Sequence, residues 1–279
     1  MKLSADFPVS MVCNALGLPR SSFYYRSQRA NEVEVRTAIQ QEAETWPRYG
    51  YRRITQELRR KGWRINEKRV RRLMQEMSLQ VKKKRSGKCT TNSRHEFGRF
   101  PNLIRDRMIE KPDQVWAADV TYVRLKWEYV YLAVIMDLFP RGIRGWHLSH
   151  RLDHSLTLTA LKKAMASSKP EIHHSDQGVQ YAATRYVRLL KDAGIQISMS
   201  DVGQPTQNPH VERLIRTIKE EEVYLSEYDD CQEAREQIGR FIEDVYMYKR
   251  IHSSLGYLTP VEYELQWQSI LVAEAMDVI

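Results

Sequence analysis

The chain has 279 residues and a formal net charge of +9, so neither core size nor solubility limits what it can be. Its three cysteines, Cys13, Cys89 and Cys231, are far apart and form no C-x-x-C pair, which excludes a disulfide scaffold and argues against a structural zinc site. The longest apolar stretch, Tyr131 to Met136, is far too short to span a bilayer, and the N-terminus lacks a basic start followed by an apolar run, so a cytoplasmic protein with no membrane partner is expected.

The positive charge is unevenly placed. Between Tyr51 and Glu110 there are 19 Lys and Arg against 6 Asp and Glu, a local excess of 13 that leaves the remainder of the chain at −4. A concentrated basic segment on a mildly acidic chain is the electrostatic footprint of a nucleic-acid binder.

Taken in order, residues 8–28 show a short apolar helix, a turn at Gly17 and a second helix starting at Pro19-Arg20-Ser21, the punctuation of a helix-turn-helix. Residues 1–45 are therefore expected to form an N-terminal helix-turn-helix-like segment, with a helix over 33–46 that ends at Trp46-Pro47. A stronger repeat over 46–80 predicts a second helix-turn-helix module. Ile54 and Leu58 share one face of a helix over 52–60, and Asn66 is placed to cap a helix over 67–77. That helix turns Val70, Leu73, Met74 and Met77 inward. Lys68, Arg69, Arg71 and Arg72, joined by Arg52 and Arg53 of the preceding helix, are the candidate DNA-binding residues. Residues 81–112 read as a basic linker in which Lys82, Lys83, Lys84 and Arg85 track a phosphate backbone.

From Asp113 the pattern changes to α/β. Strands are predicted over 115–123, 128–137, 142–150, 171–175 and 195–200, with helices over 155–168 and 184–193, the latter stopped by Gly194. Three hairpin-connected strands followed by helix, strand, helix, strand is the order of a ribonuclease H-like mixed sheet of five strands flanked by helices. A core over 113–225 and a C-terminal helical extension over 226–279 are expected.

Three carboxylates stand out. Asp119 lies within the first strand, Asp176 follows the fourth, and Glu212 falls in the first turn of a helix opened by Asn208-Pro209. There the helix dipole favours the ionised form. Three carboxylates converging from two strands and a helix are what hard divalent cations require. Glu212, Arg216 and Lys219 share one helix face, opposite Val211, Leu214, Ile215 and Ile218. Asp137 is a rival ligand with a structural role expected, and His174 is expected to be a satisfied or DNA-facing imidazole.

The spacing of these acids, with 35 residues between Asp176 and Glu212 and Lys219 seven positions further, resembles the DDE catalytic core of retroviral integrases and bacterial insertion-sequence transposases. More narrowly, the chain resembles the OrfB-type transposase of the IS-three family. The segments that carry the likeness are Tyr49 to Ile54, Asn66 to Met74, Trp116 to Tyr122, Met136 to Phe139, His174 to Gly178 and Tyr248 to Pro260. Gln207 stands where the family usually has Asp, and Arg213 where a small residue often follows the Glu.

The resemblance implies metal-dependent DNA strand cleavage and strand transfer, with Asp119, Asp176 and Glu212 as catalytic and metal ligands. It implies two Mg2+ ions, with Mn2+ tolerated, and no protein-linked DNA intermediate. Asn208, Arg216 and Lys219 would contact DNA. The implied partners are double-stranded DNA at the element's ends and target, further copies of the same chain on DNA, and an upstream OrfA product in a bacterial nucleoid. Three other readings remain: a tyrosine recombinase built on His210, Arg213 and Tyr246 or Tyr248, a catalytically inactive DNA-binding regulator that keeps the fold, and a plain ribonuclease H-type nuclease that cuts RNA in hybrids without joining strands.

Overall fold

A computed structural model describes residues 7–24, 32–81, 100–201 and 207–277. The predicted phosphate-tracking residues Lys82, Lys83, Lys84 and Arg85 lie outside the described residues.

Two short helices, α1 (Val9–Ala15) and α2 (Arg20–Tyr24), flank Gly17, whose φ of +61° supplies the expected left-handed turn. Then come α3 (Glu32–Thr45), α4 (Tyr51–Arg60) and α5 (Glu67–Glu76). Asn66 caps α5 as expected, its side-chain oxygen accepting the Arg69 N–H at 3.1 Å. Val35 and Ile39 of α3 share one apolar core with Ile54, Leu58, Val70, Leu73 and Met74. That core crosses the 45/46 division drawn from the sequence, so α3 packs with the second module.

The remainder is built on a five-stranded sheet in the order β3-β2-β1-β4-β5. Its strands are β1 (Val115–Arg124), β2 (Tyr129–Asp137), β3 (Ile143–Ser149), β4 (Ile172–Ser175) and β5 (Gln196–Met199). β1, β2 and β3 form an antiparallel meander, while β4 and β5 run parallel to β1 through helical crossovers. This is the mixed sheet expected from the order of elements.

Alternation along β1 feeds two cores. Val115, Ala117 and Val123 face one, and Trp116 and Ala118 face the other. On the Trp116 side lie α6 (His154–Ala164), the one-turn α7 (Val179–Ala182) and α8 (Thr184–Asp192). A Cβ on Gly145 of β3 would sit 2.5 Å from the Ala160 carbonyl, so only glycine lets α6 approach this closely.

On the other face lie α9 (Pro209–Ile218), which continues as a π-helical turn over Lys219–Val223, and α10 (Cys231–Arg240), which continues likewise over Phe241–Tyr246. Tyr228, Ala234, Ile238, Phe241, Ile242 and Tyr246 pack in the same core as β1, β2 and α9. This layer therefore runs on past the 225/226 boundary. The last helix, α11, spans Pro260–Asp277.

The helical module is seated against this body by polar contacts around one acid. Glu221, in the π-helical turn after α9, takes two hydrogen bonds of 2.7 Å from the Arg250 guanidinium and has Arg53 of α4 at 3.7 Å. The Ile251 N–H donates to the Tyr49 hydroxyl at 3.1 Å, and the Ile251 side chain is buried in the core of the helical module.

Candidate active site

The site lies where the sheet opens. β1 has ten residues and β4 only four, and their pairing ends at Ala118 opposite Ser175. Asp119 and Asp176 are the residues that directly follow this last pair on the two parallel neighbours. Beyond them β1 runs on without β4, leaving an opening at the carboxyl end of β4, where α/β sheets place ligands.

Glu212 reaches the same place from the first turn of α9. Pro209 occupies the first helical positions, and the apolar residues of α9 are buried against the sheet as expected, Val211, Leu214 and Ile218 almost completely. Glu212 and Lys219 stay partly open and Arg216 is exposed.

The three acids are electrostatically coupled. Burial first, then the Asp176 carboxylate, push the Asp119 carboxyl up to about 8; Glu212 adds to the rise, while the Val120 N–H and Lys219 oppose it. The Val120 N–H donates to Asp119 at 2.7 Å. Burial also raises Glu212, opposed by Arg216 and reinforced by Asp176. Asp176 accepts the Gly178 N–H at 2.9 Å, which sets its orientation. Among the described residues, no three His, Cys, Asp or Glu side chains are arranged to hold a metal ion. The three acids form an electrostatic cluster and not a closed ligand set.

The rival ligands are occupied elsewhere. Asp137 is fully buried and holds Arg144 at 2.8 Å and the N–H groups of Asp113 and Phe139 at 2.7 and 3.0 Å. His174 is buried with Nδ1 at 2.9 Å from the Ser198 hydroxyl and Nε2 at 3.2 Å from that of Ser200, so both ring nitrogens are used. Burial holds its ionisation down to about 4, leaving it neutral.

Several expected DNA contacts have other partners. Asn208 occupies the N-cap position but its side chain makes no cap hydrogen bond; it is buried and donates to the Ala118 carbonyl at 3.2 Å, tying the start of α9 to the residue before Asp119. Arg53 lies over the Tyr49 ring at 5.0 Å and beside Glu221. Arg72 is paired with Glu32 at 2.6 Å and Glu76 at 2.7 Å. Arg69 is half-buried. Arg52, Lys68 and Arg71 are exposed, and Arg52 and Arg71 flank the Tyr51 ring at 5.2 and 5.6 Å, giving α4 and α5 a common basic face. Gln207 is anchored, its side-chain oxygen accepting from Asn102 at 2.9 Å and from the Asp201 N–H at 2.7 Å.

Two residues near the acids escaped sequence reasoning. The Tyr122 ring lies 4.1 Å from the Lys219 ammonium, a cation that also feels the Asp119 charge. Gly178 leaves room for the Asp176 carboxylate, because a Cβ there would meet its oxygen at 2.9 Å and push it aside. Its place directly after Asp176-Gln177 was the available signal.

The integrase core domain family matches residues 109–205, a second integrase core domain family matches residues 193–260, and the HTH-like domain family matches residues 28–87. The chain is 35% identical over 279 residues to the putative transposase InsK for insertion sequence element IS150 of Escherichia coli K12, covering 95% of this chain and 96% of that protein. It is 37% identical to the transposase for insertion sequence element IS904 of Lactococcus lactis, over 78% of this chain and 87% of that one. Among solved structures it is similar to the HTLV-2 integrase catalytic core domain in complex with magnesium, with 19% identity, coverage of 55% and 97%, and a TM-score of 0.44.

Proposed function

Because the chain belongs to the IS-three family of insertion-sequence transposases, with an integrase core and a helix-turn-helix-like domain, we propose that Asp119, Asp176 and Glu212 carry metal-dependent cleavage and transfer of DNA strands. The observation that supports this reading is that Asp119 and Asp176 follow the last paired residues of β1 and β4 at the open end of the sheet, with Glu212 electrostatically coupled to both.

The donor set fits a hard divalent cation in chemistry. Three carboxylates repel one another, and the Lys219 charge favours the ionised form of Asp119 against burial and its two acidic neighbours. Asp119, Asp176 and Glu212 would hold two Mg2+ ions, with Mn2+ accepted in place of Mg2+. Bound there, such ions activate an attacking oxygen and stabilise a leaving one in an in-line displacement. The chain's own groups do the positioning. Gly178 fixes Asp176, Asn208 ties α9 to β1, and Arg216 and Lys219 present positive charge to a phosphodiester beside the acids. Water would open the strand first, and the freed 3′-hydroxyl of the element would attack the target.

Double-stranded DNA is the substrate on this reading, and a DNA-bound homo-oligomer its working form. The test is a joining assay with a labelled element end and a target duplex. Joined product should require Mg2+ or Mn2+ and vanish with EDTA. A protein–DNA adduct that survives EDTA would favour the tyrosine-recombinase reading. Against that reading, Tyr246 is buried and its hydroxyl donates to the Arg141 carbonyl at 2.9 Å.

Two further outcomes are expected. Gly178→Ala leaves the backbone in ordinary territory, since φ is −65°, but forces the Asp176 carboxylate aside. Strand transfer should fall by about 10- to 100-fold, as when a ligand loses its orienting partner, with the thermal midpoint nearly unchanged. Replacing Arg52, Lys68 and Arg71 together by Ala should weaken DNA binding for every sequence. It should also flatten the plot of log affinity against log salt by roughly 0.9 per lost phosphate contact. An unchanged slope in a filter-binding titration would remove α4 and α5 from the DNA interface.

A further inference from the structure

We propose that the tip of the β1–β2 hairpin is a stacking platform for unpaired bases of a DNA strand, formed by Trp127 and Tyr129 and joined to the acidic site through Tyr122 and Lys219. The proposal rests on the reading of DNA as the substrate and extends it to strand-separated nucleotides beside the site.

The sheet leaves this hairpin uncovered. Pairing of β4 with β1 stops at Ala118 and β3 pairs with β2 only from Tyr131, whereas β1 and β2 stay paired out to Arg124 opposite Tyr129. One face of the ribbon is closed, with Val123, Leu125 and Val130 in the core. By alternation the other face carries Tyr122, Arg124 and Tyr129, and all three are exposed. The open face of a half-buried antiparallel pair is ordinarily polar. Here Tyr122 is 50% exposed, Tyr129 53% and Trp127, in the turn, 86%. Aromatic surface left open in this way marks an interaction site.

The rings are ordered and accompanied by positive charge. Tyr122 and Tyr129 meet edge-on, with ring centres 5.8 Å apart. The Lys219 ammonium lies 4.1 Å from the centre of the Tyr122 ring, Arg124 stands opposite Tyr129, and the Lys126 ammonium lies 5.9 Å from the centre of the Trp127 ring. Two acids nearby are engaged, Asp229 with Lys126 at 3.1 Å and Glu128 with the His150 imidazole at 3.2 Å.

Aromatic faces interleaved with cations suit a single strand, whose bases stack on the rings while the cations meet its phosphates. A duplex keeps its base faces stacked inside, so the platform favours unpaired nucleotides. At about 3.3 Å per residue, Tyr122 lies about 10 Å beyond Asp119 along β1, and the pair of Arg124 and Tyr129 about 17 Å. A strand leaving the acids along the hairpin reaches Tyr122 first, then Tyr129 and Trp127.

The experiment compares the full chain with the double variant Trp127→Ala, Tyr129→Ala by fluorescence anisotropy in EDTA. The probes are a labelled oligothymidine of about 12 nucleotides and a duplex of the same length. Single-strand affinity should fall by about 10- to 100-fold, while duplex affinity and the thermal midpoint stay unchanged. Trp127→Phe with Tyr129→Phe should restore most of the single-strand affinity, because the ring faces return.

Wild-type single-strand affinity in the alanine variant would overturn the proposal. An equal loss on the duplex would also overturn it, since that would mark attraction to phosphate alone. So would a change in sedimenting mass with single-strand affinity intact, which would assign the rings to a contact between copies of the chain. Asp119→Asn separates this proposal from the reading of the acids. It should bind the single strand like the wild type while losing strand transfer. Retained transfer there would remove the acid and leave the platform standing.

Discussion

Asp119→Asn should reduce strand transfer by about 10³-fold or more, well beyond the roughly 10- to 100-fold loss expected when only a ligand's outer partner is removed. DNA binding should persist, because the exposed basic face of Arg52, Lys68 and Arg71 belongs to the helical module. Retained transfer would remove Asp119 from the proposed triad.

The same substitution has a thermodynamic signature. Asp119 titrates near 8 in the folded protein against about 3.9 in an unfolded chain. Its folded pKa is raised, so the folded state holds this proton more tightly than the unfolded one. The stabilisation is complete below pH 4 and is lost as pH rises toward 8. In metal-free protein, Asp119→Asn should therefore match the wild type near pH 4 and melt several degrees above it at pH 8. A difference in melting that does not grow with pH would mean that burial and the neighbouring acids do not raise the Asp119 carboxyl.

Glu221→Ala should produce the largest loss of stability. It strips the counter-charge from Arg250, which is 2% exposed, and from Arg53 beside it. Removing one partner of a buried pair costs about 3–5 kcal/mol, because the remaining charge stays buried and unpaired. At about 2–4 °C per kcal/mol the thermal midpoint should fall by roughly 10 °C. Replacing both Glu221 and Arg250 by Met should recover most of this, since the desolvation penalty disappears with the charges. A loss under about 1 kcal/mol for Glu221→Ala would instead describe a solvent-screened pair.

Much of the scaffold was legible because it is encoded locally. Alternation in Val115 to Val123, the cap at Asn66 and the Gly194 stop each act within a few residues, and each element appears near its expected bounds. The two parallel crossovers followed from element order, which leaves few arrangements for a mixed sheet.

What could not be read was which distant groups meet. Arg53 looked like a free cation because its partner, Glu221, is 168 positions away in sequence. Asn208 met the preference for a cap, but its amide serves Ala118 on a strand 90 residues upstream. The π-helical turn at Lys219 leaves no mark in the apolar period of α9. The acids themselves were found by spacing and likeness. Their mutual repulsion depends on the Ala118–Ser175 register, which only the folded sheet fixes.

The burial of Ile251 among the residues of α3, α4 and α5 bears on how such proteins diversify. The helix-turn-helix-like module is completed by the side chain of Ile251, about 175 positions beyond α5, and the Tyr49 hydroxyl accepts a hydrogen bond from the backbone of that same residue. Exchange of recognition modules between related elements therefore cannot proceed by swapping an N-terminal cassette alone. A chimera made from two relatives should fold well only if the tail around Ile251 travels with the helices it completes.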